Sequence, residues 1–309
     1  MFDVDGPIQL RNGIFVCAAH QLEICHWCTC DYTVLREGGS DDDIYPDEFE
    51  AGYDSDHPSD YESGDDVDPE FITVISPRAV ERGPVVGNGR VFPTMFRPLD
   101  GYTPQRQFLP LTTLIPMYTR YCNRKNRGQG LIYTDGACLD NGRHNAKGGC
   151  AFVFREPVPG APHASSCKFP LEDEGPTGER HPQTSNRAEL RAVIAALRYR
   201  FWTGEGFNSM VIATDSEYVA LGATSWVRGW VRNGWKAANG QPVKNKDLWQ
   251  CLLGEVERWS DGGLQVLFWR IPREQNTVAD RCAKDAAAEA LTAPEPEYKG
   301  FVDVIGALI

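Results

Sequence analysis

From Leu131 onward, short apolar runs that read as β-strands alternate with longer segments whose apolar residues recur at helical spacing. The strand-like runs are LIYTD (131–135), GGCAFVFR (148–155), CKFPLE (167–172), SMVIATD (209–215) and LQVLFWRI (264–271). The helical segments are 185–201, which begins behind a serine cap, then a broken stretch over 216–235, then 246–261 and 276–291. This order predicts an α/β fold, a mixed five-stranded sheet with helices on both faces.

The first 130 residues lack this alternation. Residues 37–70 contain 15 Asp and Glu and no Lys or Arg, together with Gly, Ser and Pro, so they cannot bury enough apolar surface to order themselves. Prolines break the apolar pieces that follow, and one helical turn is expected near 111–122. The chain is predicted to have five parts: a short Cys/His-bearing segment (1–36), a disordered acidic linker (37–70), a Pro-rich extended segment packing on the next domain (71–128), the α/β domain (129–292) and a tail (293–309).

The net charge of −12 hides an uneven distribution along the chain. Residues 71–309 contain 29 Lys and Arg against 24 Asp and Glu, so the body of the protein is positive and a nucleic-acid partner is not excluded. The sequence contains no run of 18 uncharged apolar residues, which argues against a membrane span. Its start, MFDVDGPIQLRNG, has neither signal-peptide nor transit-peptide character, so we expect an intracellular protein, nuclear or cytoplasmic.

Four of the ten cysteines fall within residues 17–30. In a reducing compartment they are expected to be free thiols or metal ligands rather than disulfides. The pattern C-x2-H-x4-C-x2-C has the ligand types of a Zn²⁺ site, and its members are Cys17, His20, Cys25 and Cys28. His26 and Cys30 are possible substitutes, and cysteines packed as small hydrophobic residues are the alternative.

Four carboxylates stand at positions typical of an α/β active site. Asp135 and Asp215 each end an apolar strand, while Glu189 and Asp280 lie near the amino ends of helices. If the two strands are parallel neighbours, their carboxyl ends meet at one sheet edge, and only cations make such a cluster tolerable. Oxygen ligands favour Mg²⁺ or Mn²⁺, and a pair of such ions about 4 Å apart supports phosphodiester hydrolysis. In the alternative interpretation each acid merely caps a helix or ends a strand in solvent.

Five sequence blocks resemble ribonuclease H of the eukaryotic type 1 kind, in a fungal-type form. They cover roughly residues 129–290, about half of the chain, and occur in the family's order and at its intervals. The blocks are YTDGACLDNGRHNAKGG (133–149), QTSNRAELRAV (183–193), IATDSEYV (212–219), WVRGWVRNGWKAANGQPVKNKDLW (226–249) and NTVADRCAK (276–284).

The resemblance implies an endonuclease that cuts the RNA strand of RNA·DNA hybrids and leaves 5′-phosphate and 3′-hydroxyl ends. We expect the protein to be a monomer. It implies two Mg²⁺ ions per site, replaceable by Mn²⁺. Asp135 would bridge both ions and Asp280 would hold the ion that delivers water. Glu189 and Asp215 would hold the ion that stabilises the leaving oxygen.

The same resemblance implies the substrate contacts. Ribose 2′-hydroxyls would meet Cys138, Asn141, Ser185 and Asn186, although Ser185 replaces a common asparagine. Thr184 and Asn245 would bind a DNA phosphate, with Pro182 where relatives often have arginine and Arg180 and His181 close by. Tyr218, Trp226 and Trp230 would form an aromatic channel, surrounded by the basic residues Arg228, Arg232, Lys236, Lys244 and Lys246. On their own, two tryptophans at helical spacing are often core residues, and a charge run is often a solvated face.

The sequence departs from the family just before Asp280. Relatives usually have a longer loop with a Gly-His pair there, whereas this chain has a short turn containing Arg273 and Glu274. We expect one of these residues to replace the histidine in part, with slower turnover. Two alternatives remain, a catalytically weak hybrid-binding module and a domesticated retroelement domain.

Overall fold

A computed structural model divides the chain into two compact units, Met1–Ile72 and Thr73–Ile309. The structure describes residues 86–114, 117–156, 165–293 and 300–305, and the backbone of five short strands before residue 86. The predicted linker, 37–70, lies outside the described residues.

Within the first unit, β1 (Ile8–Gln9) pairs antiparallel with β2 (Phe15–Val16), and β3 (Ile24–Cys25) with β4 (Cys30–Asp31). Of the predicted zinc ligands, Cys25 belongs to β3, whereas Cys17, His20 and Cys28 lie outside the described residues. The Zn²⁺ site therefore stays a prediction.

The second unit contains ten strands and six α-helices among the described residues. The strands are β5 (Val74–Ser76), β6 (Thr94–Met95), β7 (Phe108–Leu114), β8 (Met117–Asn123), β9 (Gln129–Leu139), β10 (Lys147–Val153), β11 (Ser166–Pro170), β12 (Ser209–Thr214), β13 (Gln265–Arg270) and β14 (Asp303–Ile305). The helices are α1 (Pro104–Gln107), α2 (Ser185–Arg198), α3 (Glu217–Leu221), α4 (Val227–Arg232), α5 (Lys246–Asp261) and α6 (Thr277–Thr292). A π-helical turn (Gly222–Trp226) joins α3 to α4, and a 3₁₀ turn (Arg273–Gln275) precedes α6.

The central sheet has the order β11-β10-β9-β12-β13-β6, with β8 pairing the first part of β9 and β7 pairing β8. Strand β12 is parallel to β9 and β13, and β10 is antiparallel to β9 and β11. The predicted mixed α/β fold is confirmed, but the sheet has eight strands rather than five. The three additional strands come from residues 94–123, where prolines interrupt the apolar pattern.

Two hydrophobic cores lie on the two faces of this sheet. Ile132 packs in the larger core with α2 and α5, while its neighbours Leu131 and Tyr133 pack in the smaller core with Ala279 of α6. Alternate residues of a strand point to opposite faces, so this division follows directly from the strand pattern. None of the helices in the described ranges is long and apolar enough to span a bilayer.

The helical turn expected near residues 111–122 was a wrong prediction, because strands β7 and β8 form a hairpin there. The segment is rich in threonine and tyrosine, which favour strands. The hydroxyls of Thr112 and Thr119 face each other across the hairpin at 2.7 Å. Pro110 is tolerated because β7 pairs with only one neighbour, and an edge strand has room for a residue without an N–H.

Two element boundaries also differ from the prediction. Strand β9 continues to Leu139, so Asp135 lies inside the strand rather than at its end. The cap of α2 is Thr184, whose Oγ1 accepts a hydrogen bond from the Arg187 N–H at 3.3 Å, so Ser185 is the first helical residue.

The helix break predicted within residues 216–235 is present as the π-helical turn. It begins at Gly222, where a Cβ would lie 2.3 Å from Cη2 of Trp249. The indole of α5 therefore occupies the space that a side chain would need, and glycine lets the chain pass over it.

Candidate active site

The first two of the four carboxylates lie on neighbouring parallel strands. Strand β12 pairs with β9 so that Ala213 stands opposite Tyr133, which brings Asp215, just after β12, level with Asp135. The Asp135 side chain is buried, and its Oδ1 accepts a hydrogen bond from the Gly136 N–H at 2.8 Å.

Glu189 reaches the same place because α2 packs directly on β9. A Cβ on Gly136 would lie 2.1 Å from the backbone nitrogen of Glu189, so only glycine permits this approach. The hydroxyl of Ser216, the residue after Asp215, donates a hydrogen bond to Glu189 Oε2 at 2.6 Å. Strand β9, the end of β12 and helix α2 thus place three acids together.

The amino end of α6 supplies the fourth acid and its partners. Asp280 accepts hydrogen bonds from Arg273 Nη2 at 3.0 Å and from Lys284 Nζ at 2.6 Å. Arg273 Nε also lies 3.9 Å from Asp215 Oδ2. Glu274, in the same 3₁₀ turn, is exposed.

A buried asparagine links the start of α6 to both strands. Asn276 Nδ2 donates to the Thr134 carbonyl of β9 at 3.1 Å and to Asp215 Oδ1 at 2.7 Å. The asparagine is 1% exposed, and its Oδ1 has no hydrogen-bond partner among the described residues. One amide therefore fixes the position of Asp215 against β9.

The shared burial of these acids changes their proton affinity. Burial, together with the charges of Asp215, Glu189 and Asp280, raises the pKa of Asp135 to about 7, although the Gly136 hydrogen bond opposes the shift. Burial and the charge of Asp215 raise the pKa of Glu189 to about 7, against the Ser216 hydrogen bond. Burial also opposes ionisation of Asp280, but hydrogen bonds from Lys284 and Arg273 outweigh it and hold its pKa below the ordinary value.

We expect Asp135→Asn to melt at a higher temperature than the parent when divalent metal is removed with a chelator at about pH 8. The folded-state pKa of Asp135 lies above its ordinary value of 3.8, so its charge costs folding free energy. That cost is absent below about pH 4 and complete above about pH 7, and amounts to roughly 1–4 kcal/mol.

The measurement is thermal unfolding of both proteins in chelator at several pH values. Asp285→Asn, which removes an exposed carboxylate from α6, is the matched control and should not show the pH-dependent difference. Equal or lower melting of Asp135→Asn at about pH 8 would contradict the assigned electrostatics.

The donor set fits hard divalent cations. All four side chains offer carboxylate oxygens, and burial together with mutual repulsion raises the pKa of Asp135, a cost that a bound cation relieves. Within the described ranges, no group of three or more His, Cys, Asp or Glu is already drawn to metal-ligand spacing. Arg273 and Lys284 instead hold Asp280.

The residues expected to meet the ribose lie along β9 and the start of α2. Cys138 is half-buried, and its thiol donates to the Gln183 carbonyl at 3.5 Å. Burial raises the pKa of this thiol, which favours the protonated form that can donate a hydrogen bond. Asn141 is exposed in the loop after β9. Ser185 and Asn186 form the first turn of α2, and Asn186 is exposed.

Around Asn245 the structure shows an arginine that the sequence analysis missed. Arg187 is buried and binds Asp247 through two hydrogen bonds of 2.9 and 2.7 Å, with its Nη1 3.5 Å from Asn245 Oδ1. His181 Nε2 lies 3.4 Å from the same aspartate. Arg187 therefore brings a guanidinium beside Asn245, three residues after Thr184.

The three predicted channel aromatics meet, together with a fourth. Tyr218 and Trp226 have ring centroids 6.4 Å apart, and Trp226 and Trp230 are 6.0 Å apart. Trp249 of α5 lies beneath them, and its Nε1 donates to the Tyr218 hydroxyl at 3.1 Å, as does Asn245 Nδ2. Trp226 is 39% exposed, so this cluster presents a ring to solvent instead of closing into the core.

The predicted basic residues are all exposed. They are Arg228, Arg232, Lys236, Lys244 and Lys246. The Arg228 guanidinium lies 4.7 Å from the centroid of the ring of Phe92, a residue far earlier in the chain.

Asn276, Ser216 and Trp249 also belong to the site, although the sequence blocks did not predict them. Each stands inside or beside a quoted block, next to or within a few residues of a predicted site residue. Nothing in the linear pattern signals that the side chain of Asn276 turns back to β9, because that contact depends on the packing of α6.

Comparison with known proteins gives one family. The family model described as RNase H matches residues 127–288. The chain is 39% identical over 172 residues to Ribonuclease H of Treponema pallidum subsp. pallidum, an alignment covering 52% of this chain and 90% of the relative. It is 40% identical over 178 residues to Ribonuclease H of a Cyanothece species, covering 56% of this chain and 96% of that relative.

Among solved structures, a match is the crystal structure of LC9-RNase H1, described as a type 1 RNase H with the type 2 active-site motif. It is 29% identical, covers 51% of this chain and 71% of that one, and has a TM-score of 0.35.

Proposed function

This chain belongs to the ribonuclease H family, and from that membership we propose that it hydrolyses the RNA strand of RNA·DNA hybrids as an endonuclease. The observation that carries the proposal is that β9, β12, α2 and α6 bring Asp135, Glu189, Asp215 and Asp280 near one another, through strand pairing, close packing and hydrogen bonds of neighbouring residues. Their combined charge suits a site that binds cations next to a phosphodiester.

We propose that these four carboxylates hold two Mg²⁺ ions, with Mn²⁺ as a substitute. Asp135 would be shared, Asp280 would serve the water side, and Glu189 and Asp215 the leaving-group side. When bound, such ions lower the pKa of an attacking water and stabilise the leaving 3′ oxygen, which gives 5′-phosphate and 3′-hydroxyl ends.

The chain's own residues prepare this site. Asn276 holds Asp215 beside β9, and Ser216 orients the Glu189 carboxylate, so that neither acid has to be ordered when substrate arrives. The buried position of Asp135 keeps its carboxylate away from bulk water, which strengthens its interaction with any charge placed there.

Substrate selection follows from two neighbouring surfaces. The Cys138 thiol, Asn141 and Asn186 offer polar groups at the strand and helix ends beside the carboxylates, suited to hydrogen bonds with 2′-hydroxyls. The cluster of Tyr218, Trp226 and Trp230 offers ring surface suited to a strand without 2′-hydroxyls. The basic residues around it would track phosphates, so affinity should fall steeply with salt.

The test is cleavage of one hybrid labelled on either strand, in Mg²⁺. We expect fragments from the labelled RNA only, each ending in 5′-phosphate or 3′-hydroxyl. Fragments from the DNA strand, or RNA products with cyclic or 3′-phosphate ends, would contradict the proposal.

We further propose that Arg273, rather than Glu274, replaces the missing histidine in part. Arg273 donates a hydrogen bond to Asp280 and its Nε lies 3.9 Å from Asp215 Oδ2, so its positive charge lies beside the acids, whereas Glu274 makes no hydrogen bond or ion pair with them among the described residues. Arg273→Ala is expected to lower kcat by about tenfold, because a fixed positive charge beside the reacting phosphate is lost.

Glu274→Ala is the matched control, with an expected rate close to that of the parent. The measurement is steady-state cleavage of a labelled hybrid at saturating Mg²⁺. Parent-like turnover in Arg273→Ala would show that the arginine does not have this role.

One observation favours a second function, a catalytically weak hybrid-binding module. Arg273 and Lys284 already neutralise Asp280, the acid proposed to serve the attacking water. A protein of this kind would bind hybrids with similar affinity but leave them intact in Mg²⁺, so the labelled-strand experiment distinguishes the two functions.

The type, the domain bounds, the oligomeric state and the location of the protein are proposals as well. The sequence blocks support a type 1 ribonuclease H. The relatives named above are bacterial, so they do not support a eukaryotic, fungal-type origin. We propose a catalytic domain at 129–292 to which residues 86–123 add strands, a monomeric state, and a nuclear or cytoplasmic location.

A further inference from the structure

We propose that residues 86–96, here called the strap, position the hybrid-binding helix α4, and that Phe92 is the positioning residue that holds Arg228. This inference rests on the proposed function. The strap precedes the family-matched residues 127–288, so it lies outside the matched part of the chain.

One end of the strap is fixed to α5. Backbone N–H groups of Asn88, Gly89 and Arg90 all donate to the carboxylate of Glu257, at 3.1, 2.6 and 3.0 Å to its Oε1. The Gly87 N–H donates to the Gln250 carbonyl at 2.9 Å. The buried carboxylate of Glu257 therefore binds three successive backbone N–H groups. This fixes the position of the strap along α5.

The first residues of the strap also pack closely against α5. A Cβ on Gly87 would lie 2.3 Å from the backbone nitrogen of Gly254 in α5. Arg90 adds an ion pair with Asp261 at the end of the same helix. Contacts of backbone against backbone keep the path of residues 87–90 fixed.

The other end of the strap is fixed to the sheet. Thr94 and Met95 form β6 and pair with β13, and the Phe96 N–H donates to the Phe268 carbonyl at 2.7 Å. The Phe96 ring packs in the smaller core, 5.1 Å from that of Trp269. Residues between the two ends therefore have little freedom.

Phe92 lies between these anchors and faces α4. Its ring is half-buried beside Gly89, near Val231 of α4, and the Arg228 guanidinium lies 4.7 Å from its centroid. A cation above an aromatic face is attracted without losing its hydrogen-bond donors, so the guanidinium stays available for a phosphate. Arg228 lies in the same helix as Trp230 and follows Trp226 by two residues, which makes the strap a support for the face that would meet the DNA strand.

The test is a double-mutant cycle with Phe92→Leu, Arg228→Gln and the pair, measured as KM and kcat on a hybrid. Leucine keeps apolar packing but removes the ring face. We expect Phe92→Leu to raise KM about two- to fivefold, the size of an exposed cation–π contact, with kcat unchanged. In the Arg228→Gln background, Phe92→Leu should have no further effect on KM. Phe92→Tyr, which keeps an aromatic ring, should have the parent KM.

The chain contains a matched control pair outside the strap, because Arg106 lies 5.6 Å from the centroid of the Tyr102 ring. Tyr102→Leu should leave KM unchanged. An unchanged KM in Phe92→Leu, or an equal rise with and without Arg228, would overturn the proposal.

Amide hydrogen exchange of the nucleic-acid-free protein tests the positioning separately from activity. Phe92→Leu should speed exchange within Val227–Arg232 and leave Lys246–Asp261 unchanged. If the parent does not cleave hybrids, the proposed function fails, while this exchange result still decides whether the strap positions α4. Unaltered exchange in α4 would overturn the positioning role.

Discussion

Asp135→Asn is expected to lower kcat for hybrid cleavage on the order of a thousandfold or more, while hybrid affinity stays within a few-fold of the parent. Asp135 is the most central of the four acids, since its pKa is affected by the charges of Asp215, Glu189 and Asp280. As the acid proposed to be shared between both cations, its loss should weaken both cation positions.

Asparagine keeps the size of the side chain and the acceptor for the Gly136 N–H, so the fold should be retained. Higher thermal stability in chelator, predicted above, would show independently that the variant is folded. Asp285→Asn serves again as the exposed carboxylate control. Equal cleavage by Asp135→Asn and the parent would eliminate the proposed catalytic centre.

Arg191→Ala is expected to destabilise the protein by roughly 3–5 kcal/mol, because it leaves a carboxylate uncompensated in a buried position. Arg191 is fully buried in α2 and donates to Glu172 through Nε at 3.0 Å and Nη2 at 2.6 Å. Its Nη2 also donates to the Val302 carbonyl at 2.6 Å, and its guanidinium lies 4.2 Å from the ring of Phe301.

This arginine joins α2 to residues 300–305. Val304 of β14 is buried in the larger core, and Asp303 forms an ion pair with Arg198, the last residue of α2. Loss of Arg191 should therefore release residues 300–305 as well as leaving Glu172 without its ion-pair partner.

Chemical denaturation measures the predicted loss. The double variant Arg191→Met/Glu172→Met removes both charges, and we expect it to recover most of the lost stability. If Arg191→Ala lowers the free energy of unfolding by less than about 1 kcal/mol, the ion pair does not hold this region together.

The alternation of strands and helices after Leu131 was sufficient to predict the α/β class, because buried strands and amphipathic helices have different periods. The strands at 94–123 could not be read in this way. Pro110 interrupts β7, and β6 has only two residues, so neither shows a period before its partner strand is known.

The same limit applies to the site. Asp135, Glu189, Asp215 and Asp280 were predicted from blocks of sequence, and the structure brings them together. The contacts of Asn276, and the way Arg273 reaches back to Asp280, depend on how α6 begins after its 3₁₀ turn. The contact between Arg228 and Phe92 joins residues 136 positions apart, and no local sequence pattern predicts this contact.

The most direct measurement is cleavage of matched RNA·DNA, RNA·RNA and DNA·DNA duplexes by the purified chain, in Mg²⁺ and in chelator. The proposed four-carboxylate centre predicts cleavage of the RNA strand in the hybrid, only with Mg²⁺, and intact DNA·DNA under both conditions. Hybrid cleavage that continues in chelator, or an intact hybrid in Mg²⁺, would contradict it.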